Sequence, residues 1–164
     1  MESCISETFR NGIVLVTGST GFLGKILIEK ILRSCPVKKI AILVRSKKGF
    51  NVNQRVADMY KQAVFDRIRS EKPGFIDFIK IIDSNLEDSF MGLTTADRDW
   101  IVENVNFVFH CAATIKFNET LESASKINIQ GTEKLLSLAT QMKNLKVTYL
   151  ILLCIGDLPV IPPI

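Results

Sequence analysis

The sequence predicts an α/β fold, a doubly wound parallel sheet with helices on both faces. Short runs of β-branched and aliphatic residues, typical of buried parallel strands, alternate with segments of helical periodicity along the chain. Three glycines follow the first of these runs, and an apolar-periodic segment opens among them. With 164 residues, 47% of them hydrophobic, and a mean hydropathy of +0.22, the chain has the size and the core material of one domain. We therefore expect a single domain over residues 1–164, with about five strands.

The first strand, turn and helix are the most informative stretch. Ile13–Thr17 is predicted as a strand and Phe22–Ser34 as a helix, which Cys35-Pro36 ends because proline cannot continue the helical hydrogen bonds. Glycines at a G-x-x-G-x-x-G spacing allow a sharp turn and a close approach to a pyrophosphate, and the helix N-terminus presents free amides to it. This order predicts a dinucleotide-binding turn, with a purely structural turn as the alternative. The predicted cofactor-binding residues are Thr17, Gly18, Ser19, Thr20, Gly21, Phe22, Leu23 and Gly24.

The residue after the second predicted strand, Lys39–Val44, distinguishes between the two nicotinamide dinucleotides. In an NAD-binding fold, a carboxylate about twenty residues past the glycines binds the ribose 2′-hydroxyl. Arg45 takes that place here and is followed by Ser46, Lys47 and Lys48. A guanidinium pairs well with the extra 2′-phosphate of NADP, which a carboxylate would repel. The sequence therefore favours NADPH as the cofactor, with a solvent-facing arginine at a strand end as the alternative.

The middle of the chain is predicted to form a helical segment, a third strand and a polar loop. The helical pattern covers Asn53–Glu71, and we interpret it as an insertion over the sheet edge because it is longer than a minimal crossover. Phe78–Ile82 is predicted as the strand. Residues 83–88 follow it at the edge of the sheet where ligands bind in doubly wound folds. Thr94 is predicted to cap a further helix that runs through Asn104.

The last third of the chain is predicted as a fourth strand, Asn106–Cys111, a long helix, Glu119–Lys143, and a fifth strand, Leu145–Leu153. Three small residues follow the fourth strand and leave room for a cofactor to lie against the backbone: Ala112, Ala113 and Thr114.

Two polar residues in this part invite a functional interpretation. His110 is the single histidine of the chain, and we expect it to be packed and hydrogen-bonded rather than catalytic. Asn128 lies within the long predicted helix, where a buried and unpaired amide is costly. We therefore expect its side chain to be either exposed or bonded to a specific group.

Charge and cysteine content argue against several classes of protein. The net charge is +4, and much of it lies between Arg33 and Lys48 without interleaved aromatic residues. We expect this stretch to face the phosphates of a cofactor and predict no nucleic-acid partner, with a solvated basic face as the alternative. Because the sequence has no cysteine–histidine cluster, we predict no metal site. We expect the cysteines to be free thiols in a reducing, intracellular compartment. The four cysteines are Cys4, Cys35, Cys111 and Cys154.

Neither end of the chain predicts a membrane or secretory segment. The N-terminus lacks the apolar core of a secretory signal. The longest apolar run, Val147–Ile155, is about half as long as a membrane span requires. We expect no transmembrane segment in this chain and expect the chain to be soluble.

The glycine turn and several further segments resemble a known family. Thr17–Lys25 is similar to the cofactor turn of extended short-chain dehydrogenase/reductases, which have a Rossmann-type fold. Four other segments resemble fatty acyl-CoA reductases more narrowly, and the resemblance covers residues 6–147 in the right order. On this resemblance the chain is identified as the N-terminal, NADP-binding part of such a reductase, with the sheet truncated on its C-terminal side. The four segments are Leu32–Ile40, Leu43–Gly49, Val108–Thr114 and Asn128–Thr132.

The resemblance implies an activity and roles for particular residues. Fatty acyl-CoA reductases use NADPH to convert long-chain acyl-CoA into fatty alcohol through an aldehyde, and full-length relatives are expected at the endoplasmic reticulum or peroxisomal membrane. Asn85 and Leu86 stand where the family usually has Asp-Leu near the adenine, so the amide keeps an acceptor but loses the charge. Ala112 to Thr114 would line the nicotinamide half. Asn128 matches the asparagine of the family's catalytic set.

The rest of that catalytic set is not found in the sequence. Such reductases carry Ser or Thr at the end of the fifth strand and then a Tyr-x-x-x-Lys pair, which serves the carbonyl oxygen as it gains charge. The two tyrosines are Tyr60 and Tyr149, and the residues four positions later are Val64 and Leu153. We therefore expect that the chain as given does not reduce acyl-CoA.

Residues 148–164 do not resemble the family and are interpreted as a divergent tail. Our hypothesis is that they arise from a shifted frame, a retained intron or an early stop in a longer reductase. One alternative is a short product that binds NADPH without chemistry of its own, as a sensor or beside a full-length subunit. Another is a chain that does not fold stably, because its fifth strand would be an exposed apolar edge.

Overall fold

The computed structural model describes residues 4–46, 51–114 and 120–151. Its centre is a five-stranded sheet in the order β3-β2-β1-β4-β5, and all four pairs of neighbouring strands are parallel. This architecture confirms the predicted doubly wound, Rossmann-type sheet. The strands are β1 (Ile13–Thr17), β2 (Lys39–Val44), β3 (Ile79–Asp83), β4 (Phe107–His110) and β5 (Val147–Leu150).

Seven α-helices connect and flank the strands in the described part of the chain. Short 3₁₀ segments at Ala63–Phe65, Phe75–Phe78 and Ser89–Gly92 complete the connections, and a π-helical segment, Lys126–Gln130, lies between the last two helices. The helices are α1 (Cys4–Thr8), α2 (Phe22–Ser34), α3 (Val52–Tyr60), α4 (Asp66–Glu71), α5 (Thr95–Asn104), α6 (Leu121–Ser125) and α7 (Gly131–Ala139).

Alternate residues of each strand point to opposite faces of the sheet, and each face packs against its own apolar layer. The central strand β1 is buried along its full length. Val14 and Val16 belong to one core layer, with Ile28 of α2. Leu15 belongs to the other layer, where its partners include Ile101 of α5 and Leu135 and Leu138 of α7. The two layers explain why the strand sequences are continuous apolar runs rather than alternating ones.

Two predicted helices are interrupted in the structure. The segment predicted as one helix over Asn53–Glu71 is divided into α3 and α4, because the backbone at Gln62 is extended with φ −70° and ψ 152°. The helix predicted over Glu119–Lys143 is divided by the π-helical segment, and α7 ends at Ala139. In both cases the apolar periodicity of the sequence continues across the interruption. Periodicity alone therefore does not reveal where the helix is interrupted.

The strand β5 lies at one edge of the sheet and is shorter than the predicted Leu145–Leu153, of which the last two residues lie outside the described part. It pairs with β4 in the register Phe109 opposite Tyr149, and the two rings stack with centroids 4.8 Å apart. Tyr149 and Leu150 are each more than two-fifths exposed. The described residues contain no helix with the length and apolarity that crossing a membrane requires.

Candidate functional site

A cavity of about 490 Å³ lies at the carboxyl ends of β1, β2, β3 and β4. The sheet order reverses between β1 and β4, and such a switch point is where doubly wound sheets bind ligands. The cavity is therefore at the expected place for a nucleotide. Its wall contains, among the predicted residues, Thr17, Gly18, Thr20, Gly21, Arg45, Asn85, Leu86, Ala112, Ala113 and Thr114.

The turn after β1 brings its backbone against the loop after β4. Gly18 has a φ of +65°, and a Cβ there would lie 2.6 Å from the backbone nitrogen of Ala112 and from the carbonyl oxygen of Cys111. A Cβ at Gly24 would collide with the carbonyl group of Gly18. Only glycine fits these two positions, so the start of α2 and the strand end can approach each other closely. The first-turn amides of α2 have no acceptor within the helix, and Gly21, the residue before the helix, lines the cavity.

Four predicted residues of this turn do not contribute to the cavity wall. Ser19 is fully buried, and its hydroxyl donates to the carbonyl oxygen of Leu43 at 3.1 Å, which ties the turn to β2. Phe22 is 77% exposed. Leu23 and Gly24 belong to the first turn of α2. Ser19 and Gly24 therefore hold the turn in place and do not offer atoms to the cavity.

Arg45 is close to a carboxylate. Its Nη1 donates to Oε1 of Glu87 at 2.7 Å, and both residues line the cavity. A second arginine, Arg55 of α3, lies at the same end. Its guanidinium donates to the carbonyl oxygen of Arg45 and lies 3.4 Å from Oγ1 of Thr20. Arg55 was not predicted to lie here, and Glu87 was predicted only as part of the polar loop 83–88. The helical pattern around Arg55 gave no sign that α3 returns to the edge of the cavity.

The loop after β3 is held by a lysine of α7. The Nζ atom of Lys134 donates to the carbonyl oxygens of Leu86, Glu87 and Asp88 at 3.0 to 3.1 Å. The amide nitrogen of Asn85 donates to the carbonyl oxygen of Met91 at 2.9 Å. Asn85 and Leu86 therefore face the cavity from a loop whose backbone is fixed at both ends.

His110 at the end of β4 joins three elements through hydrogen bonds. Its Nε2 is 2.9 Å from Oγ1 of Thr132, which itself donates to the carbonyl oxygen of Asn128 at 2.7 Å. Because the hydroxyl proton of Thr132 is already donated to Asn128, the hydrogen bond between Thr132 and His110 must be donated by Nε2 of the imidazole. The other ring nitrogen, Nδ1, must then be an acceptor. Thr17 then donates to Nδ1 at 2.6 Å while its oxygen accepts from the amide of Ala112. Every member of this chain of bonds is satisfied only if the imidazole is neutral.

Burial strengthens that assignment. His110 is 2% exposed, and burial lowers the pKa of its imidazole below the ordinary value of 6.5. This agrees with the prediction that His110 is packed and hydrogen-bonded. Burial also raises the pKa of the Cys111 thiol, which lines the cavity, so the thiol remains protonated at neutral pH. In the part of the chain that the structure describes, no group of histidine, cysteine, aspartate and glutamate residues could hold a metal ion.

Asn128 has a specific partner rather than an exposed side chain. Its Oδ1 accepts from the amide of Thr114 at 2.8 Å, and its Nδ2 donates to the carbonyl oxygen of Thr114 at 3.1 Å. It lies in the π-helical segment Lys126–Gln130 and is not part of the cavity wall. Asn128 therefore positions the loop after β4, which does line the cavity.

The sequence is similar to known NAD-binding proteins. The profile of an NAD-binding family described as "Male sterility protein" matches residues 16–151. Human "Fatty acyl-CoA reductase 1" is 45% identical over 144 residues, and the Drosophila melanogaster "Fatty acyl-CoA reductase wat" is 39% identical over 145 residues. These alignments cover 87% and 88% of this chain but only 28% of each relative.

Solved structures share the fold. The terminal R domain from the myxalamid PKS-NRPS biosynthetic pathway superposes with a TM-score of 0.67 at 25% identity, covering 86% of this chain and 34% of that domain. The Bordetella bronchiseptica enzyme WbmF, solved in complex with NAD⁺ and UDP, has a TM-score of 0.56 at 17% identity, covering 87% of this chain and 36% of that one. The second likeness shows a common fold alone.

Proposed function

The chain belongs to the NAD(P)-binding family described as "Male sterility protein", and we propose that it binds NADPH as the cofactor-binding part of a fatty acyl-CoA reductase. Because the chain spans 28% of the length of the curated relatives it matches, the reaction of those relatives is part of the proposal. The observation that carries the proposal is the close approach of Gly18 to the loop after β4 at the rim of the cavity.

The glycine turn is the proposed pyrophosphate site. A pyrophosphate needs donors that reach it without intervening side chains, and we propose that the backbone at Gly18 and Gly21, with the free amides at the start of α2, supplies them. The partial positive charge at the helix N-terminus adds attraction for the two phosphates. Thr17 and Thr20 border the same wall.

The outer end of the cavity is the proposed site of the adenosine 2′-phosphate. Arg45 and Arg55 both line it, and each guanidinium keeps donor groups beyond those used in the bonds described above. Charge-assisted hydrogen bonds from such groups to a phosphate are roughly twice as strong as neutral ones. Asn85 and Leu86, on the neighbouring wall, are proposed to contact the adenine.

The opposite end is the proposed site of the nicotinamide half, against the small residues Ala112 and Ala113 and the backbone of Thr114. The hydrogen bonds of Asn128 to Thr114, and of Thr17 to Ala112, fix the shape of this wall. The catalytic role that the resemblance implies for Asn128 is therefore proposed to act through Thr114.

When bound, NADPH would supply the hydride for the stepwise reduction of long-chain acyl-CoA to fatty alcohol, which is the proposed reaction of the complete reductase. The carbonyl oxygen of the substrate needs a proton donor as it gains charge. Since neither Tyr60 nor Tyr149 has a lysine four residues later, these 164 residues are proposed to bind NADPH without turnover. A catalytically silent NADPH-binding module, alone or beside a full-length subunit, is the second candidate that this observation favours.

Calorimetric titration of the purified chain with NADPH tests the proposal. We expect saturable binding by the unaltered chain and by Gly74→Ala, a control glycine where a Cβ would be 3.6 Å from its nearest neighbour. We expect no binding by Gly18→Ala, whose Cβ would enter the loop after β4. Circular dichroism of both variants reports whether they fold. A folded, unaltered chain that does not bind NADPH would contradict the proposal, and consumption of NADPH with acyl-CoA would contradict its silent form.

A further inference from the structure

We infer that Glu87 sets the cofactor preference of this site, because it competes with the 2′-phosphate of NADPH for Arg45 and offers an acceptor to the 2′-hydroxyl of NADH. The chain then accepts both dinucleotides and discriminates between them less than its two arginines alone would. The inference rests on the proposed function and concerns the adenosine end of the same cavity.

The first step is the position of the carboxylate. Oε1 of Glu87 is 2.7 Å from Nη1 of Arg45, and the two side chains are 35% and 51% exposed. Both line the cavity. A phosphate that approaches Arg45 therefore meets a carboxylate at hydrogen-bond distance from the same guanidinium.

The second step is that Glu87 cannot easily withdraw its backbone. Lys134 donates to the carbonyl oxygen of Glu87 at 3.1 Å and to those of its two neighbours in the chain. The amide of Glu87 is 3.4 Å from Oδ1 of Asn85. A 2′-phosphate can displace the side chain of Glu87 from Arg45, but the carboxylate remains within a side chain's reach.

The third step is the charge balance of this end. Arg45 and Arg55 supply two positive charges, and Glu87 supplies one negative charge inside the cavity. Asp83, at the end of β3, lies nearby and accepts from the amide of Ser46 at 3.3 Å. Within the cavity wall, two arginines thus share one carboxylate, and Asp83 lies outside that wall. A 2′-phosphate gains less from Arg45 while that guanidinium is paired with Glu87 than it would from an unpaired arginine.

The fourth step concerns NADH. Folds of this class that bind NAD use a carboxylate to accept the ribose 2′-hydroxyl, usually from the end of the second strand. Arg45 occupies that place here, and Glu87 brings a carboxylate to the same end of the cavity from the loop after β3. One residue therefore disfavours the phosphate and favours the hydroxyl.

The experiment measures the dissociation constants of NADPH and NADH for the unaltered chain and for Glu87→Gln. The amide keeps the size of the side chain and removes its charge. We expect the unaltered chain to bind both dinucleotides. In Glu87→Gln we expect NADPH to bind about fivefold more tightly, which corresponds to the upper range of an exposed ion pair, and NADH to bind more weakly. In an Arg45→Gln background the same change should improve NADPH binding less, because the guanidinium that Glu87 occupies is gone.

Glu103→Gln is the matched control, because Glu103 also loses an exposed ion pair, with Lys143, and does not line the cavity. It should leave both dissociation constants unchanged. An unaltered ratio of the two constants in Glu87→Gln, with both dinucleotides still bound, would overturn this inference and leave the proposed function standing. An unaltered chain that binds neither dinucleotide would overturn both.

Discussion

The hydroxyl of Thr17 and Nδ1 of His110 are 2.6 Å apart and buried between two adjacent strands of the sheet. This bond joins the last residue of β1, which leads into the glycine turn, to the last residue of β4, which leads into the small-residue loop. This bond therefore connects the two strand ends whose loops line the cavity. The hydrogen bond of His110 to Thr132, and that of Thr132 to Asn128, extend the connection to the helix that carries Asn128.

We expect Thr132→Val to destabilise the chain by about 1 to 3 kcal/mol, because it leaves the Nε2–H of His110 buried without an acceptor. Valine has nearly the shape of threonine, so the loss reports the hydrogen bond rather than a cavity. Thr132→Ser keeps the hydroxyl and should lose less. Urea denaturation of the three chains measures the free energies of unfolding. Equal values for the valine and serine variants would contradict the directed chain of hydrogen bonds.

The stability of the chain should depend on the titration of His110. Burial depresses the pKa of the folded state below the unfolded value of 6.5, so the unfolded chain binds this proton more readily. The contribution of His110 is therefore constant above pH 6.5 and is lost as the pH falls from 6.5 through the folded pKa. Urea denaturation from pH 7.5 to 5 should show this fall in the unaltered chain and a smaller one in His110→Gln.

Because His110 is the single histidine in the sequence, nitrogen NMR of the imidazole gives an assignment without mutation. The expected spectrum is that of the neutral ring with the proton on Nε2. A protonated ring at pH 7 in the folded chain would contradict both the tautomer and the pH dependence.

We expect Arg45→Asp to abolish the preference for NADPH over NADH. The substitution removes a phosphate donor and places a second carboxylate near Glu87, and a hydrogen bond to a charged group is typically worth about 1.5 to 3 kcal/mol, or roughly ten- to a hundredfold in affinity. Titration with both dinucleotides measures the change. Arg67→Gln, which removes an exposed arginine paired with Glu71, is the control and should have no effect. NADPH affinity that is unchanged in Arg45→Asp would remove Arg45 from the site.

Tyr60→Phe should leave the free energy of unfolding unchanged or raise it by about 1 kcal/mol. Among the described residues, the hydroxyl of Tyr60 is the one buried side-chain polar atom without a hydrogen-bond partner, and burial raises the pKa of this phenol. The ring packs edge-on against Phe65 and Phe75 at 5.0 and 5.3 Å between centroids, and phenylalanine preserves both contacts. Tyr149→Phe is a half-exposed control. A marked loss of stability in Tyr60→Phe would indicate a partner for the hydroxyl.

The elements with strong local signals were predictable from the sequence. The observed bounds of β1 and α2 are the predicted ones. A continuous apolar run marks β1, the glycine turn separates β1 from α2, and Pro36 marks the end of α2. The predicted cap of α5 is also confirmed, since Oγ1 of Thr94 accepts from the amide of Asp97 at 3.1 Å. In each case neighbours in sequence determine the outcome.

The site was predictable only where it follows from the ends of strands. The loops after β1 to β4 must meet at one edge of a parallel sheet, so the glycine turn, Arg45 and Ala112–Thr114 could be named in advance. The contacts of Arg55, Glu87 and Lys134 could not be named, because they join distant parts of the chain. Lys134, for example, lies 48 residues from the carbonyl oxygen of Leu86 that it contacts.

The π-helical segment Lys126–Gln130 determines which side of α7 faces the sheet. A π-helical turn contains an additional residue, and each residue of an α-helix advances the side chains by about 100°. If the same residues formed a regular α-helix, α7 would be rotated about its axis relative to the π-helical segment seen here. Thr132 would then turn away from His110, and Leu135 would leave its layer of the core. The π-helical turn thus sets the angular position of every side chain that follows it in the helix.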